Sequence, residues 1–237
     1  MRTAALGLLL VVLAACAGVG APAATPTPAL TEQEIAQRAV DRLGALSSFH
    51  FELATDTGGK PLGSTAFALV SASGDAARPD KLSASLQASV GGFVAAVSYV
   101  SAGGKHFMTD PISRQWMEVP PQFNTIAVFS PETGAPAIVK SLQGLKRQPT
   151  EQVEGVDSYH LAGTAPGDVL LPLLGAAAPA QLKADVWIGN GDFLTRRITL
   201  TGAILQGEPE TTVRTLKLSR FDQPVDIQAP TPGTPAS

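Results

Sequence analysis

From Phe49 onward the chain alternates apolar and polar residues with a period of two, and small turn-forming residues break the runs at short intervals. Phe49, Phe51 and Leu53 interleave with His50, Glu52 and Ala54, and the alternation continues through 64–73, 81–90, 93–101, 105–109 and 115–119. Gly58-Gly59, Gly74-Asp75, Gly91-Gly92 and Gly103-Gly104 stand between these runs as turn signals, and Pro120-Pro121 stops the last. Connections this short join antiparallel neighbours, whereas parallel strands need a long crossover. The pattern therefore predicts a meander. Further on, 147–154 and 156–165 read as a hairpin around Gly155. Three long strands follow at 181–189, 193–204 and 210–221, with Gly189-Asn190-Gly191-Asp192 as a hairpin turn. The total is about eleven strands.

Helices are few. Thr31-Glu32-Gln33-Glu34 is a capping box, and Ile35, Ala39, Val40, Leu43 and Leu46 form one apolar stripe behind it. Ser130-Pro131-Glu132 reads as an N-cap with proline in the first turn, followed by a stripe of Ile138, Val139, Leu142 and Leu145. Residues 168–174 allow another helical turn or two, limited by Pro172. The fold class is α+β, dominated by antiparallel sheet, with two or three helices.

The N-terminus states an address. Arg2 precedes an unbroken apolar stretch from Ala4 to Val12, then Leu13-Ala14-Ala15-Cys16, which holds the single cysteine of the 237 residues. A charged start, a short apolar run and small exit residues make a secretory signal too short to span a bilayer permanently. The cysteine directly after the small residues resembles a bacterial lipobox, in which the thiolate is alkylated by a diacylglyceryl group and becomes the first residue of the mature chain. Residues 1–15 are thus expected as a lipoprotein signal peptide and 16–30 as lipidated Cys16 with a flexible tether of alanine, threonine and proline. Residues 31–228 form the domain, and 229–237 a disordered tail. The expected location is the extracytoplasmic face of the cell membrane, held by the lipid anchor.

Composition removes several classes. The net charge is −3, one unit more negative once Arg2 is cut away, so nothing basic attracts nucleic acid. One cysteine allows no intramolecular disulfide. His50, His106 and His160 lie far apart in sequence, without metal-ligand spacing, and no G-x-S-x-G elbow, P-loop or dinucleotide fingerprint occurs. Asp157 and His160 are not expected to converge from one strand. No catalytic residue, metal or cofactor is therefore expected. What remains is a broad apolar sheet face of alanine, valine, leucine and phenylalanine with little helix to cover it. Such a face is either close-packed or leaves interior space suited to acyl chains.

Several short motifs, in order, carry a family resemblance. They are the LAAC at 13–16, the SFHFEL strand at 48–53, RQWMEVP at 114–120, Ser130-Pro131 before Leu142, EGVDSYHLAG at 154–163 and VWIG at 186–189. Together they resemble the LppX/LprAFG family of bacterial lipoproteins, relatives in shape of the carrier LolA. The family's acidic residue after the Trp-Ile pair is delayed here to Asp192. The resemblance implies a strongly bent antiparallel half-barrel with helices on its concave face and a hydrophobic cavity between them. An acylated lipid or glycolipid is then the partner, a membrane transporter is a further one, and the chain is a monomer. Candidates for the cavity lining are Phe51, Leu53, Phe67, Phe93, Val97, Trp116, Ile138, Val139, Leu142, Leu170, Leu173 and Trp187. The alternative is a surface interaction or envelope-stress-sensing module that uses the same half-barrel, with a filled core, to bind a protein or peptide along an exposed edge strand.

Overall fold

The capping box opens the domain. In the computed structural model, which describes residues 29–56, 62–63, 67–90, 93–120, 134–170, 181–204 and 207–236, Thr31 caps helix α1 (Glu32–Ala45). The Thr31 hydroxyl accepts from the Glu34 amide and the Glu34 carboxylate accepts from the Thr31 backbone, which satisfies two otherwise orphaned donors. Those bonds hold the Glu34 carboxyl below its ordinary range. Of the predicted stripe, Ile35, Ala39, Leu43 and Leu46 are buried and Val40 is partly buried, and Ala36 joins them. A second helix, α2 (Ala135–Ser141), buries Ile138 and Val139 and packs against α1. Its N-cap is Gly134, so the predicted Ser130-Pro131 start lies outside the described residues. A single 3-10 turn spans Gly167–Leu170.

The strands are β1 (Ser48–Thr55), β2 (Leu62–Gly63), β3 (Phe67–Ala77), β4 (Lys81–Val90), β5 (Phe93–Ala102), β6 (Lys105–Thr109), β7 (Trp116–Val119), β8 (Gln143–Val153), β9 (Val156–Ala165), β10 (Leu182–Gly189), β11 (Thr195–Thr201) and β12 (Val213–Ser219). They form one antiparallel sheet in the order β7-β6-β5-β4-β3-β1-β12-β11-β10-β9-β8, with the short β2 paired to β3. The sheet bends into a half-barrel and does not close. Its termini meet in the middle, where β1 pairs with β12.

Gly74-Asp75 is not a turn. Strand β3 runs straight through it, and the chain reverses at Arg78–Asp80 instead. The glycine has another cause: a Cβ on Gly74 would lie 2.1 Å from the Ser83 carbonyl oxygen on β4. Here glycine marks a close approach of two backbones.

Register defines two ends. Thr55, Phe67, Val90, Phe93, Ala165, Leu182, Thr201 and Val213 share the upper end of the sheet. Ser48, Ala77, Lys81, Ala102, Gly189 and Ser219 share the lower end. The β10–β11 turn at the lower end is held by Asp192, whose carboxylate accepts from the Leu194 amide at 3.0 Å and from buried Arg196 at 2.7 Å and 3.2 Å. Burial pushes the Asp192 carboxyl up, but the Arg196 and Leu194 donors outweigh it and hold the group below the ordinary carboxylate range. A lowered folded value stabilises above the unfolded value of ~3.9 and is lost as pH falls through the folded one. Asp192→Asn is accordingly expected to lose about 1–2 kcal/mol at neutral pH and to flatten the acid limb of urea-unfolding stability measured against pH.

The C-terminal segment departs from the sequence expectation. Asp222 accepts from the Ser47 amide and hydroxyl at 2.7 Å and 2.8 Å, bonds that lower its carboxyl below the usual range. Val225 and Ile227 then pack with Val100 and Phe107 on the outer face of the sheet. Residues 229–236, expected as a frayed tail, end along β7: the Trp116 amide donates to the Thr234 carbonyl at 2.9 Å and the Gly233 amide to the Trp116 carbonyl at 2.8 Å. The unpaired edge of β7 supplies the partners that proline- and threonine-rich sequence cannot supply to itself.

Candidate functional site

The two faces of the sheet differ in chemistry. The face under α1 and α2 carries Phe49, Phe51, Ala72, Ala76, Leu82, Ala84, Leu86, Val97 and Tyr99 on one half, all buried in the main core. Leu161, Leu182, Ala184, Val186, Ile188, Ile198, Leu200, Leu216 and Leu218 line the other half in the same core. Leu53, Leu69, Leu142, Leu145 and Val169 pack against it only partly buried toward the upper end, beside buried Ala165 and Leu182, while Tyr159, Phe193 and Phe221 are partly buried toward the lower end. The lower end is shut, with Leu43, Leu46, Leu82 and Ile188 inaccessible to solvent.

Among the predicted cavity residues, Phe51, Val97, Ile138 and Val139 meet in this core, and Leu53 and Leu142 pack against it. Phe93 shares the inner-face register of Val97 but is 80% exposed, because it lies at the tip of the β4–β5 hairpin beyond the helices. It lines nothing. Phe67 and Leu170 lie in β3 and in the 3-10 turn, with side chains outside the described set, and Leu173 is outside the described residues altogether.

Both tryptophans belong to the opposite face. Trp116 pairs in register with Thr109 and packs with Phe107, Val100 and Ile227 under the C-terminal segment. Trp187 pairs with His160 and Arg197 on neighbouring strands. Its ring stacks on His160 with centroids 4.3 Å apart, Arg197 lies 4.8 Å from its centre, and its N–H donates to Glu151 at 3.0 Å. This polar collar, and no cavity, buries it.

The outer face gathers titratable groups that spacing along the chain could not bring together. Both ring nitrogens of His160 face carboxylates, Glu151 at 2.9 Å and Asp185 at 2.8 Å, while Asp157 bonds to Gln152. Across the sheet, His50 Nδ1 lies 2.8 Å from Asp75 and its Nε2 3.3 Å from the Ser73 hydroxyl. These three residues line an outer trough of about 370 Å³ together with Ser83, Ser85, Ser98, Trp116 and Ala236. A Ser-His-Asp order invites comparison with nucleophilic catalysis. Two features argue against it. Arg220 shares Asp75 at 3.0 Å and abuts His50. The strands beneath the trough have neighbours on both sides, so their N–H groups are spent in the ladder and leave no pair for an oxyanion. Among the described residues, no three His, Cys, Asp or Glu side chains group to hold a metal ion.

Among the described residues, the inner face carries the charged pair of Arg214 and Glu208. Arg214 of β12 and Glu208 of the β11–β12 connection are 4% and 0% exposed at their side chains. Glu208 also accepts from the Ile204 amide at 3.0 Å. The composition of β12 gives no hint that an arginine on its inward face is buried.

The family model of LppX_LprAFG lipoproteins matches residues 31–227. The solved structure of LprF from Mycobacterium bovis is similar at 17% identity over 85% of this chain and 97% of that one, with a TM-score of 0.66. LppX from Mycobacterium tuberculosis is similar at 18% identity over 84% of this chain and 100% of that one, with a TM-score of 0.60. No curated protein matches the sequence significantly. At these identities the two structures establish the half-barrel, not the cargo.

Proposed function

We propose, from the premise that this chain belongs to the LppX_LprAFG lipoprotein family, that it is a non-catalytic carrier binding the acyl chains of a lipid or glycolipid between its inner sheet face and its helices. Cys16 carries the diacylglyceryl anchor, and the domain stands on the extracytoplasmic side of the membrane. The observation that supports this reading is the partly covered aliphatic surface on the inner face. Leu43 and Leu46 are buried at the lower end, while Leu53, Leu69, Leu142, Leu145 and Val169 leave aliphatic surface partly uncovered toward the upper end beside buried Leu182. Each CH₂ placed there contributes about 0.8 kcal/mol, so a long acyl chain gains enough to bind without any directed polar contact. Exchange is passive and runs down differences in affinity.

A protein-binding reading by strand addition needs an open edge, and both edges are blunted. That of β7 is occupied by residues 233–236 of the same chain. That of β8 carries Lys146, Arg147 and Pro149 and two register shifts against β9.

A charge in the acyl path tests the carrier reading. Leu53→Asp in the mature chain is expected to weaken binding of a fluorescent fatty acid at least about tenfold, since a carboxylate among apolar groups costs several kcal/mol. Ala54→Asp, one residue along and on the exposed outer face, is expected to bind as the unsubstituted protein does. Equal binding by both variants, with circular dichroism confirming the fold, would contradict the proposal.

A further inference from the structure

The β4–β5 hairpin runs to the upper rim of the half-barrel, where Val90 and Phe93 stand level with Phe67 of β3. Leu86 and Val97, which face one another across it, are 5% and 3% exposed. Four more residue pairs follow toward the upper end, and there Phe93 is 80% and Val94 63% exposed. At ~3.3 Å per residue the tip extends about 13 Å past the last buried pair. Between Lys81 and Lys105 there is no Asp, Glu, Lys, Arg or His. An uncharged projection ending in an aromatic and a valine is costly in water. Ile112, 92% exposed in the β6–β7 turn, points to the same end, because that turn continues upward from the Thr109–Trp116 pair. Of the four large hydrophobics exposed among the described residues, only Met117 is not at this end.

The position of the N-terminus says what meets that tip. At its first turn α1 is tied to β8 by Glu32 and Arg147, 3.3 Å apart, and Arg147 donates to the Leu30 carbonyl. Near its last turn Arg42 donates to the Asp192 carbonyl in the lower β10–β11 turn at 3.2 Å. The helix therefore points its N-terminal end upward. Ala29 and Leu30 thus precede it on the side of the end where Phe93, Val94 and Ile112 are exposed, and Cys16 lies thirteen residues before Ala29 in sequence. A segment of that length reaches up to about 40 Å at ~3.3 Å per residue.

We infer that the β4–β5 tip is a membrane-docking element that seats Phe93 and Val94 in the bilayer bearing the anchor, so that the upper end of the inner face opens directly onto lipid. The inference rests on the carrier reading for its purpose and on the anchor for its geometry. Pairing with β4 satisfies the backbone groups on one side of β5 from Phe93 to Val97, and the absence of charge removes the main cost of entry. Amphipathic elements of this kind settle some 5–10 Å into the headgroup and acyl boundary.

The experiment uses the lipidated mature chain. Alkylation consumes its single thiol, so a cysteine introduced at Val94 takes one environment-sensitive fluorophore. Gly191→Cys supplies the control, in the lower turn, where a Cβ meets nothing within 4 Å. Both proteins are reconstituted in phosphatidylcholine and phosphatidylglycerol vesicles with brominated acyl chains. The probe at 94 is expected to shift to the blue and to be quenched several-fold more than the probe at 191. Equal quenching at the two sites would overturn the inference. So would a blue shift at 94 that brominated lipid does not quench and that grows with protein concentration, since a second copy then covers the tip. A second labelled thiol would show that Cys16 is unmodified, a failure of the anchor. Lipid extracted from the same preparations reports on the carrier reading separately from the docking.

Discussion

Replacing Cys16 by alanine is expected to abolish the mature, membrane-bound form of the protein. In the unsubstituted chain the mature species should begin at residue 16, lack residues 1–15 and carry the mass of a diacylglyceryl group on that residue. At about 0.8 kcal/mol per buried CH₂, two acyl chains hold a protein on a bilayer where a single chain gives only marginal, reversible binding. Alanine offers no thiolate to alkylate, so both the lipid mass and the cut should disappear together. Fractionation with intact-mass measurement checks this directly. A Cys16→Ala chain that kept the processed mass and stayed in the membrane fraction would contradict the anchor.

The buried pair on the inner face gives the largest expected change in stability. Arg214 and Glu208 are almost wholly removed from solvent, and Arg214 donates to Glu208 at 3.2 Å through one of its terminal nitrogens. Removing one partner leaves a charge in a low-dielectric site, which costs about 3–5 kcal/mol. That is a large part of the ~5–15 kcal/mol by which a domain is stable. Glu208→Gln and Arg214→Met should each lower the unfolding free energy measured in urea by that amount. The double variant Glu208→Leu, Arg214→Met should recover most of the loss, because two apolar groups replace two desolvated charges. Single variants within about 1 kcal/mol of the unsubstituted protein would mean that water reaches the pair. The pair lies beside Leu200, its cross-strand neighbour in the core, so the double variant also asks whether the inner face needs a polar group at all.

Local signals were the legible ones. The capping box placed α1 because its partners lie within one turn, and strands β4, β6 and β9 begin and end where the period-two pattern begins and ends. Phe51 and Val97 were assigned to the inner face because clean alternation leaves one choice of side, and Ile138 and Val139 because they share one helical stripe. Trp187 was placed there too and lies on the other face, since Val186-Trp187-Ile188 is apolar on both faces and the residues that bury the ring come from β8, β9 and β11. Trp116 sits on a strand of four residues, too short for alternation to choose a side. Its cover arrives from the far end of the chain. Gly74 looked like punctuation and is instead a point of close strand approach. Contacts of this type are tertiary, and composition carries no trace of them. Phe93 shows the limit of face assignment: its register was right, but a strand that outruns its cover exposes even inward-facing residues.

The half-barrel and the family are established, and the cargo is the claim on which the account turns. Native mass spectrometry of the mature chain, before and after organic extraction, tests it most directly. The account predicts a stoichiometric, non-covalent acylated species beyond the covalent lipid on Cys16, lost on extraction and absent from Leu53→Asp. A chain that flies bare from its native membrane, or that carries the same adduct with Leu53→Asp as without it, would contradict it.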